Sequence, residues 1–207
     1  FYESPKELVM ILFRNNSDEE PFIKLRESYS EALSKKQFAP EAVSISSYDS
    51  NKKEVNSRFV NLKIVDGKNF IFFTNYESNK SDEFKSHKQI SALFYWDKIN
   101  LQIRMKANIK KTSRRFNQEY FFSRSPEKNA LAISSRQSLV IKSFDEVKMK
   151  YQKALKEEDL LQCPEYWGGY QFKPFQIEFW EGNKFRINKR DLYMQKGHNW
   201  NHTILEP

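Results

Sequence analysis

The 207-residue sequence has one cysteine, three histidines and no long hydrophobic run. The single thiol, Cys163, excludes an intramolecular disulfide and a cysteine-rich metal site, and it is typical of a reducing compartment. The histidines lack the spacing of a zinc motif, so we predict no metal. The longest apolar runs, 70–73 and 92–96, are strand-sized and far short of the ~20 residues that a membrane helix needs. We therefore predict a cytoplasmic protein that does not span a membrane.

Aromatic side chains and positive charge are plentiful by contrast. The 18 Phe and 10 Tyr residues supply large apolar groups for a core, although the mean hydropathy is −0.80. The formal net charge of +8 indicates attraction to phosphorylated small molecules or to polyanions, without choosing between them. The densest basic cluster, 110–115, has no RNA- or DNA-binding signature beside it. We interpret this cluster as a solvated strand end that runs into a helix, and we expect no nucleic-acid partner.

No linker rich in Pro, Gly or Ser divides the chain, which predicts a single domain over residues 1–207. In order, it comprises an N-terminal helical segment, a barrel core, a helix and C-terminal strands, over residues 1–40, 41–142, 143–160 and 165–207. Ser4, followed by Pro5 and Glu7, predicts the start of a first helix. Apolar residues at helical spacing after Pro21 predict a second helix.

Strands are predicted for most of the remaining sequence. Runs of β-branched, aromatic and small residues predict strands at 42–48, 58–65 and 69–74. Asp66-Gly67 joins the last two as a hairpin. The regular alternation from 101 to 110 predicts a strand that buries one face.

Helices are predicted at 78–87 and at 112–122, and a longer one follows the cap Ser143, which has Glu146 three residues on. Meandering strands close up because exposed edges are otherwise left unpaired. The fold class is therefore predicted as mainly β (α+β), an antiparallel barrel or strongly curled sheet flanked by helices.

The most informative segment runs from 176 to 190. We predict two short strands, 176–180 and 184–190, joined by a turn that contains Gly182. Such a hairpin delivers Trp180, Arg186 and Arg190 together, and a flat indole with two guanidinium groups suits a planar, anionic ligand. Taken alone, the same pattern is also compatible with a surface hairpin that has a half-buried Trp and solvated arginines.

A family resemblance changes the balance between these alternatives. Glu178-Phe179-Trp180 followed by Arg186-Ile187-x-x-Arg190 resembles the C-terminal signature of the pyridoxine/pyridoxamine 5′-phosphate oxidase family, flavoproteins that use FMN. From Ser57 to Pro207 further family segments keep their order, at 58–63, 73–75, 78–80, 102, 120–124, 134–138 and 167–169. The resemblance implies the FMN-binding split barrel and a homodimer with FMN at the interface.

The resemblance also implies a set of cofactor-binding residues. They are Arg58, Phe59, Val60, Lys63, Phe73, Thr74, Lys80, Gln102, Gln137, Ser138, Trp180 and Arg190. Arg58 and Lys80 are assigned to the FMN phosphate, and the last four residues of the set to the second subunit. The residues themselves favour part of this assignment, since Ser78 at a helix start with Lys80 behind it forms a natural phosphate site. The amide of Gln102 can both donate to and accept from a flavin ring.

For the substrate phosphate, the resemblance implies Lys63, Tyr120 and Arg124, and the last two share a face if they lie on one helix. Arg186 is implied to cover the substrate ring, and Asn188 occupies the other catalytic position of the signature. An unbroken strand would turn Arg58 and Lys63 to opposite sides. They reach one site if the strand bulges or ends between them.

The chain departs from the family at several of these positions. Asn79 stands where an arginine is usual, Asn188 where His is usual, Lys189 where an acid is usual, and Lys128 or Asn129 where a small hydroxyl residue helps to hold the substrate phosphate. Asn cannot titrate near neutral pH as His does. The leading interpretation is an FMN-dependent oxidase that converts pyridoxamine or pyridoxine 5′-phosphate to pyridoxal 5′-phosphate with O2 as acceptor. The alternatives are a diverged FMN oxidoreductase acting on another ring compound and a non-enzymatic nucleic-acid-binding module.

Overall fold

The computed structural model describes residues 10–207, so the predicted helix start at Ser4 lies outside the described residues. Over this range the chain forms ten strands and five α-helices. The strands are β1 Leu12–Arg14, β2 Ala42–Asp49, β3 Glu54–Asn61, β4 Ile64–Asp66, β5 Asn69–Asn75, β6 Gln89–Trp96, β7 Leu101–Lys111, β8 Trp167–Glu181, β9 Lys189–Lys196 and β10 Asn199–Ile204. The helices are α1 Glu20–Ser34, α2 Asn79–Ser86, α3 Arg114–Phe122, α4 Pro126–Ser134 and α5 Phe144–Glu157.

All ten strands belong to one sheet in the order β1-β4-β5-β8-β7-β6-β2-β3, with β9 beside β8 and β10 beside β9. The pairs are antiparallel except β1 with β4. The prediction of a mainly β fold flanked by helices is therefore confirmed. No helix of the described chain is long and apolar enough to cross a membrane.

Strand β8 organises this sheet because one of its edges has two partners. Its first half pairs with β5 and its second half pairs with β9, while β7 pairs with residues 170–181 along the other edge. Between the two halves, the register against β7 shifts at Pro174, which leaves Phe175 as the extra residue of a bulge. Pro174, which has no N–H to donate, lies directly beside this bulge, a position where proline is tolerated within a sheet.

The core lies inside the curled sheet and is rich in aromatic rings. Phe70, Phe72, Phe172 and Phe179 are each fully buried, and Phe70 stacks on Phe172 with ring centroids 5.1 Å apart. Each such ring stabilises the fold by about 1.5–3 kcal/mol through removal from water. Helix α1 covers this core through the apolar stripe that was predicted to follow Pro21.

Most of the predicted elements are confirmed. Strand β7 buries its odd-numbered residues as far as Ile109 and turns the even-numbered ones outward. The Ser143 hydroxyl accepts from the Glu146 N–H at the start of α5, and Gly67 takes the positive φ of 58° at the β4–β5 turn. Helix α4 was missed, although Pro126 at its first turn is a helix-start signal.

Two predicted strands are wrong. The run 58–65 is divided between β3, which pairs with β2, and β4, which pairs with β5, so the chain leaves one ladder and joins another at Leu62 and Lys63. The run 184–190 is extended only from Lys189 onward. Residues 182–188 form a loop instead, because Gly182 donates to the Asn100 carbonyl and Arg186 adopts a left-handed φ of 64°.

Candidate functional site

A cavity of about 760 Å³ opens where β3 and β5 end, beside α2, α3 and the segment after α4. Eleven of the predicted site residues line it. They are Arg58, Phe59, Val60, Lys63, Phe73, Thr74, Lys80, Tyr120, Arg124, Gln137 and Ser138. Arg58 and Lys63 meet in this cavity because β3 ends at Asn61, which removes the conflict of side-chain direction that an unbroken strand would cause.

Lys80 is the most buried cation of the cavity. Its ammonium donates to Thr74 Oγ1 at 3.1 Å, to Ser78 Oγ at 2.9 Å and to Gln137 Oε1 at 2.9 Å. Burial, reinforced by the charge of Arg58 and opposed by Glu83, lowers the pKa of Lys80 to about 8. An anion beside this ammonium stabilises its charged form, so the position favours a negatively charged group.

The guanidinium of Arg58 forms an ion pair with the buried carboxylate of Glu83. Its Nη2 lies 2.5 Å from Glu83 Oε2 and its Nη1 donates to Ser47 Oγ at 2.5 Å, while Ser47 also donates to Glu83. Glu83 is 4% exposed and lies one turn beyond Lys80 on α2. This acid is absent from the predicted site, although its spacing of three from Lys80 places both on one helix face.

The arginine and lysine form one phosphate-sized group, which we call the α2 cation pair (Arg58 and Lys80). Ser78 occupies the cap position of α2, as predicted, but its hydroxyl donates to the Asn75 carbonyl and does not accept from a backbone N–H of the helix. Asn79 and Lys80, in the first turn of α2, line the cavity together with Arg58, and helix N-termini stabilise anions.

A second cationic group in the cavity comprises Lys63, Tyr120 and Arg124. The ring of Tyr120 stacks on Phe73 with centroids 3.8 Å apart, and the Arg124 guanidinium lies 4.6 Å from the ring centroid of Trp167. Arg124 Nη2 donates to the Lys128 carbonyl at 2.9 Å. The buried Nη1 of Arg124 has no hydrogen-bond partner among the described residues. Burial lowers the pKa of Arg124 and raises that of Tyr120, so both side chains are desolvated donors that fit a phosphate.

Three other predicted residues lie outside this cavity and form a row across three strands. Gln102 on β7 is opposite Trp180 on β8, which is opposite Arg190 on β9. Arg190 is held by two contacts of 2.9 Å to the buried carboxylate of Glu178, and it donates to the Glu206 carbonyl at 2.9 Å. We call Gln102, Trp180 and Arg190 the indole row.

Arg186 and Asn188 lie on the loop that follows Trp180, and neither lines the cavity of its own chain. The arginine is exposed, and Asn188 Oδ1 accepts from the Asn183 N–H at 3.0 Å. Gln137 and Ser138, which the resemblance assigned to the second subunit, line the cavity of their own chain because the segment after α4 passes beside Lys80. One chain thus separates the predicted residues into a cavity group and a second group, which comprises the indole row and the loop residues Arg186 and Asn188.

The basic cluster 110–115 is largely engaged within the fold. Lys111 lies 3.9 Å from the ring centroid of Tyr76, Arg114 donates to carbonyls of residues 163 and 164, and Arg115 pairs with Glu119 at 2.8 Å. The interpretation as a strand end that runs into a helix agrees with β7 and α3. Within residues 10–207, no group of three His, Cys, Asp or Glu side chains is arranged to hold a metal ion.

Two solved structures share this architecture. PhzG from Burkholderia lata 383, in complex with tetrahydrophenazine-1-carboxylic acid, superposes with a TM-score of 0.86 at 25% identity over 91% of this chain and 93% of that one. A pyridoxamine 5′-phosphate oxidase-related, FMN binding protein from Nostoc punctiforme shares the fold with a TM-score of 0.71 at 14% identity, over 88% and 96%. These likenesses place the chain in the class of split-barrel proteins.

Sequence comparison identifies the family within this class. The family model for pyridoxamine 5′-phosphate oxidase matches residues 28–156, and that for the pyridoxine 5′-phosphate oxidase C-terminal dimerisation region matches residues 167–207. The chain therefore belongs to the pyridoxine/pyridoxamine 5′-phosphate oxidase family, as its motifs predicted.

Two enzymes of this name illustrate the similarity. The pyridoxine/pyridoxamine 5′-phosphate oxidase of Colwellia psychrerythraea is 38% identical over 171 residues, which cover 81% of this chain and 78% of that protein. The pyridoxine/pyridoxamine 5′-phosphate oxidase 1 of Hydrogenovibrio crunogenus is 34% identical over 200 residues, covering 95% and 92%. The predictions of family and oxidoreductase class are confirmed.

Proposed function

We propose that this protein is an FMN-dependent oxidase that converts pyridoxamine or pyridoxine 5′-phosphate to pyridoxal 5′-phosphate and reduces O2 to H2O2. One observation carries the proposal. A single cavity contains two separate cationic groups, the α2 cation pair and the group of Lys63, Tyr120 and Arg124. A cavity built in this way accommodates two phosphates at once, one from the cofactor and one from the substrate.

The α2 cation pair is proposed to hold the phosphate of FMN. Arg58 presents a guanidinium already oriented by Glu83, and Lys80 presents an ammonium already oriented by Thr74 and Ser78. Neither side chain has to be ordered on binding, which lowers the entropic cost of association. Asn79 provides no charge where relatives carry an arginine, so this chain relies on two cations at that end of the cavity.

Lys63, Tyr120 and Arg124 are proposed to hold the substrate phosphate. The buried Nη1 of Arg124 supplies a donor with no partner among the described residues, and a phosphate oxygen satisfies it. Trp167 under the guanidinium and Phe73 against the tyrosine ring restrict the motion of both donors. The phosphate therefore anchors the substrate and leaves its ring to be placed by other residues.

When bound, FMN supplies the acceptor of the hydride equivalent from the C4′ carbon of the substrate and passes the electrons to O2. The protein contributes placement and electrostatics. Arg186 is proposed to cover the pyridine ring, and the indole row is proposed to contact the cofactor. The cytoplasmic location of this reaction stays a prediction.

We further propose that the protein is a homodimer in which each cavity is completed by the partner. The matched dimerisation region, 167–207, contains Trp180, Arg186 and Arg190, and these residues lie outside the cavity of their own chain. A two-fold interface brings the same surface of each copy against the other. The cavity of each chain then meets the indole row and Arg186 of the other chain, which gives two equivalent sites per dimer.

The test is turnover of FMN-loaded protein in oxygenated buffer with pyridoxamine 5′-phosphate and, separately, pyridoxine 5′-phosphate. We expect aldehyde and H2O2 to form in equal amounts with at least one of them. FMN binding is measured independently by quenching of flavin fluorescence. Protein that binds FMN but oxidises neither compound overturns the assignment of substrate while keeping that of cofactor.

A second candidate is a diverged FMN oxidoreductase that acts on another ring compound. The similarity to PhzG and the unusual Asn188 and Lys189 favour it. The two candidates differ in their use of the second cationic group, because a ring substrate without phosphate does not need Arg124. Competition by inorganic phosphate against the substrate separates them, since it is expected only for the phosphorylated vitamers.

A further inference from the structure

The loop between β8 and β9, residues 182–188, is closed by its own hydrogen bonds. Asn188 Oδ1 accepts from the Asn183 N–H at 3.0 Å, and Asn183 Oδ1 accepts from the Phe185 N–H at 2.8 Å. The Arg186 N–H donates to the Asn183 carbonyl at 2.9 Å. The side chain of Asn188 thus joins the last part of the loop to its first part.

Arg186 sits in this loop with a backbone that long side chains disfavour. Its φ is 64°, in the left-handed region where Cβ crowds the following carbonyl. Such a conformation persists when the surrounding contacts determine it, and it is found disproportionately at functional sites. The turn formed by Asn183 and Asn188 supplies those contacts for Arg186.

The two ends of the loop are fixed to the rest of the fold. At its start, the Gly182 N–H donates to the Asn100 carbonyl at 3.0 Å. A Cβ at this position would lie 2.2 Å from Asn100 Nδ2, so a larger residue would displace the Asn100 side chain. Lys24 on α1 contacts Glu181 at 3.0 Å and Asp191 at 2.6 Å, which flank the loop on β8 and β9.

We propose that Asn188 is a positioning residue whose side-chain carbonyl closes this loop and thereby fixes the direction of Arg186. This role rests on the proposed function, in which Arg186 covers the pyridine ring of the substrate. It assigns the chain-specific asparagine a role in loop shape rather than in proton transfer, which the side chain cannot perform near neutral pH. The acceptor oxygen, not the amide N–H, is the group that matters.

Limited digestion with trypsin tests the loop without any need for activity. Lys184 and Arg186 are exposed cleavage sites inside it, and cleavage of a native loop reports how often the loop opens. Asn188→Ala removes the acceptor, and we expect cleavage after these two residues to be about fivefold faster, the effect of one lost hydrogen bond. Asn188→Asp keeps an acceptor of the same shape and is expected to be cleaved at the original rate.

A matched control is Asn199→Ala, which removes an exposed asparagine from the neighbouring β9–β10 hairpin and is expected to leave cleavage in the loop unchanged. Unchanged cleavage in Asn188→Ala, or equal acceleration in Asn188→Ala and Asn199→Ala, overturns the proposal. Melting temperatures of all variants are compared so that global unfolding is distinguished from opening of the loop.

Steady-state kinetics of the FMN-loaded variants test whether the loop conformation affects substrate binding, which the rate of cleavage does not report. We expect Asn188→Ala to raise KM for the phosphorylated vitamers, and Asn188→Asp to restore it. An Asn188→Asp variant as impaired as Asn188→Ala, but with an intact loop, indicates direct contact of the amide N–H with substrate and overturns the proposal. Absence of turnover in the unaltered protein removes the proposed function and leaves the digestion result to decide the role of Asn188.

Discussion

The cavity and the C-terminal loop present cations in opposite surroundings. Lys80 is 8% exposed and makes three hydrogen bonds, whereas Arg186 lies on an exposed loop outside the cavity. Buried partners within a single chain orient the ammonium of Lys80. The direction of the Arg186 side chain, which lies at the surface, depends on the shape of the loop backbone. Under the proposed function, each chain carries its own phosphate-binding groups, while contact with the substrate ring depends on where two chains meet.

The largest effect is expected from Arg124→Met, which removes the guanidinium and keeps an apolar side chain on Trp167. Hydrogen bonds between charged groups are worth about 1.5–3 kcal/mol each, so kcat/KM for pyridoxamine 5′-phosphate is expected to fall about 100-fold. FMN affinity is expected to stay unchanged, because the α2 cation pair is intact. Arg115→Met, at an exposed arginine on the preceding helix, is the control and is expected to have no effect on either quantity. Equal losses of FMN affinity and turnover would contradict the division of the cavity into two phosphate sites.

Co-expression of two inactive variants sharpens the comparison between regions. Lys80→Ala damages the cavity and Arg190→Ala damages the indole row. If each cavity is completed by the partner, mixed dimers contain one intact site and recover about a quarter of the activity of the unaltered protein. Co-expression of Lys80→Ala with Arg58→Ala, both in the cavity, is expected to recover none. Recovery in neither mixture shows that Arg190 serves the cavity of its own chain.

Glu83→Gln tests whether the cavity owes its affinity to the orientation of Arg58. The substitution removes the anionic partner 2.5 Å from the guanidinium, and FMN affinity measured by flavin fluorescence is expected to fall about tenfold. Removing a negative charge also makes the cavity more positive, but orientation is expected to prevail because phosphate recognition depends on geometry. Asp82→Asn removes the same charge one residue earlier on the exposed face of α2 and is expected to have little effect. Tighter binding by Glu83→Gln refutes the role of Glu83.

The smallest effect concerns pH. Because burial lowers the pKa of Lys80 to about 8, its ammonium loses its proton above that pH in the absence of an anion. A bound phosphate dianion raises this pKa, so binding takes up a proton above pH 8 and becomes weaker as pH rises. We expect FMN affinity to fall about fivefold between pH 8 and 9 and to be level between pH 7 and 7.5. Lys80→Arg, which stays charged, is expected to remove this dependence, and an unchanged slope in that variant contradicts the assignment to Lys80.

Local sequence signals predicted the elements whose structure is decided locally. The alternation of β7 follows from the two-residue period of a strand with one buried face, and Ser143 caps α5 through a contact only three residues away. The break between β3 and β4 was beyond such signals, because it depends on which distant strands each half joins. The loop at 182–188 was not predicted for the same reason, because it depends on the hydrogen bond from the Gly182 N–H to the distant Asn100 carbonyl.

The candidate site likewise combines residues that the motifs predicted with contacts between distant residues that they did not predict. The family motifs predicted the residues of the cavity and of the indole row, and the structure shows which of them one chain brings together. The pairing of Glu83 with Arg58 joins residues 25 positions apart in the chain, so no local pattern indicates it. The sequence does indicate Lys128 as one of the departures from the family, and this residue lies in the cavity beside Arg124.

Strand β8 has a mechanical consequence for any dimer of this kind. Trp167, in the cavity wall, and Trp180, in the indole row, stand near opposite ends of this 15-residue strand, a span of roughly 45 Å. In the proposed homodimer, this single stretch of backbone sets how far apart one subunit's two contributions to the sites lie. Inserting or deleting one residue at the Phe175 bulge would rotate one end relative to the other and misalign both sites of the assembly together.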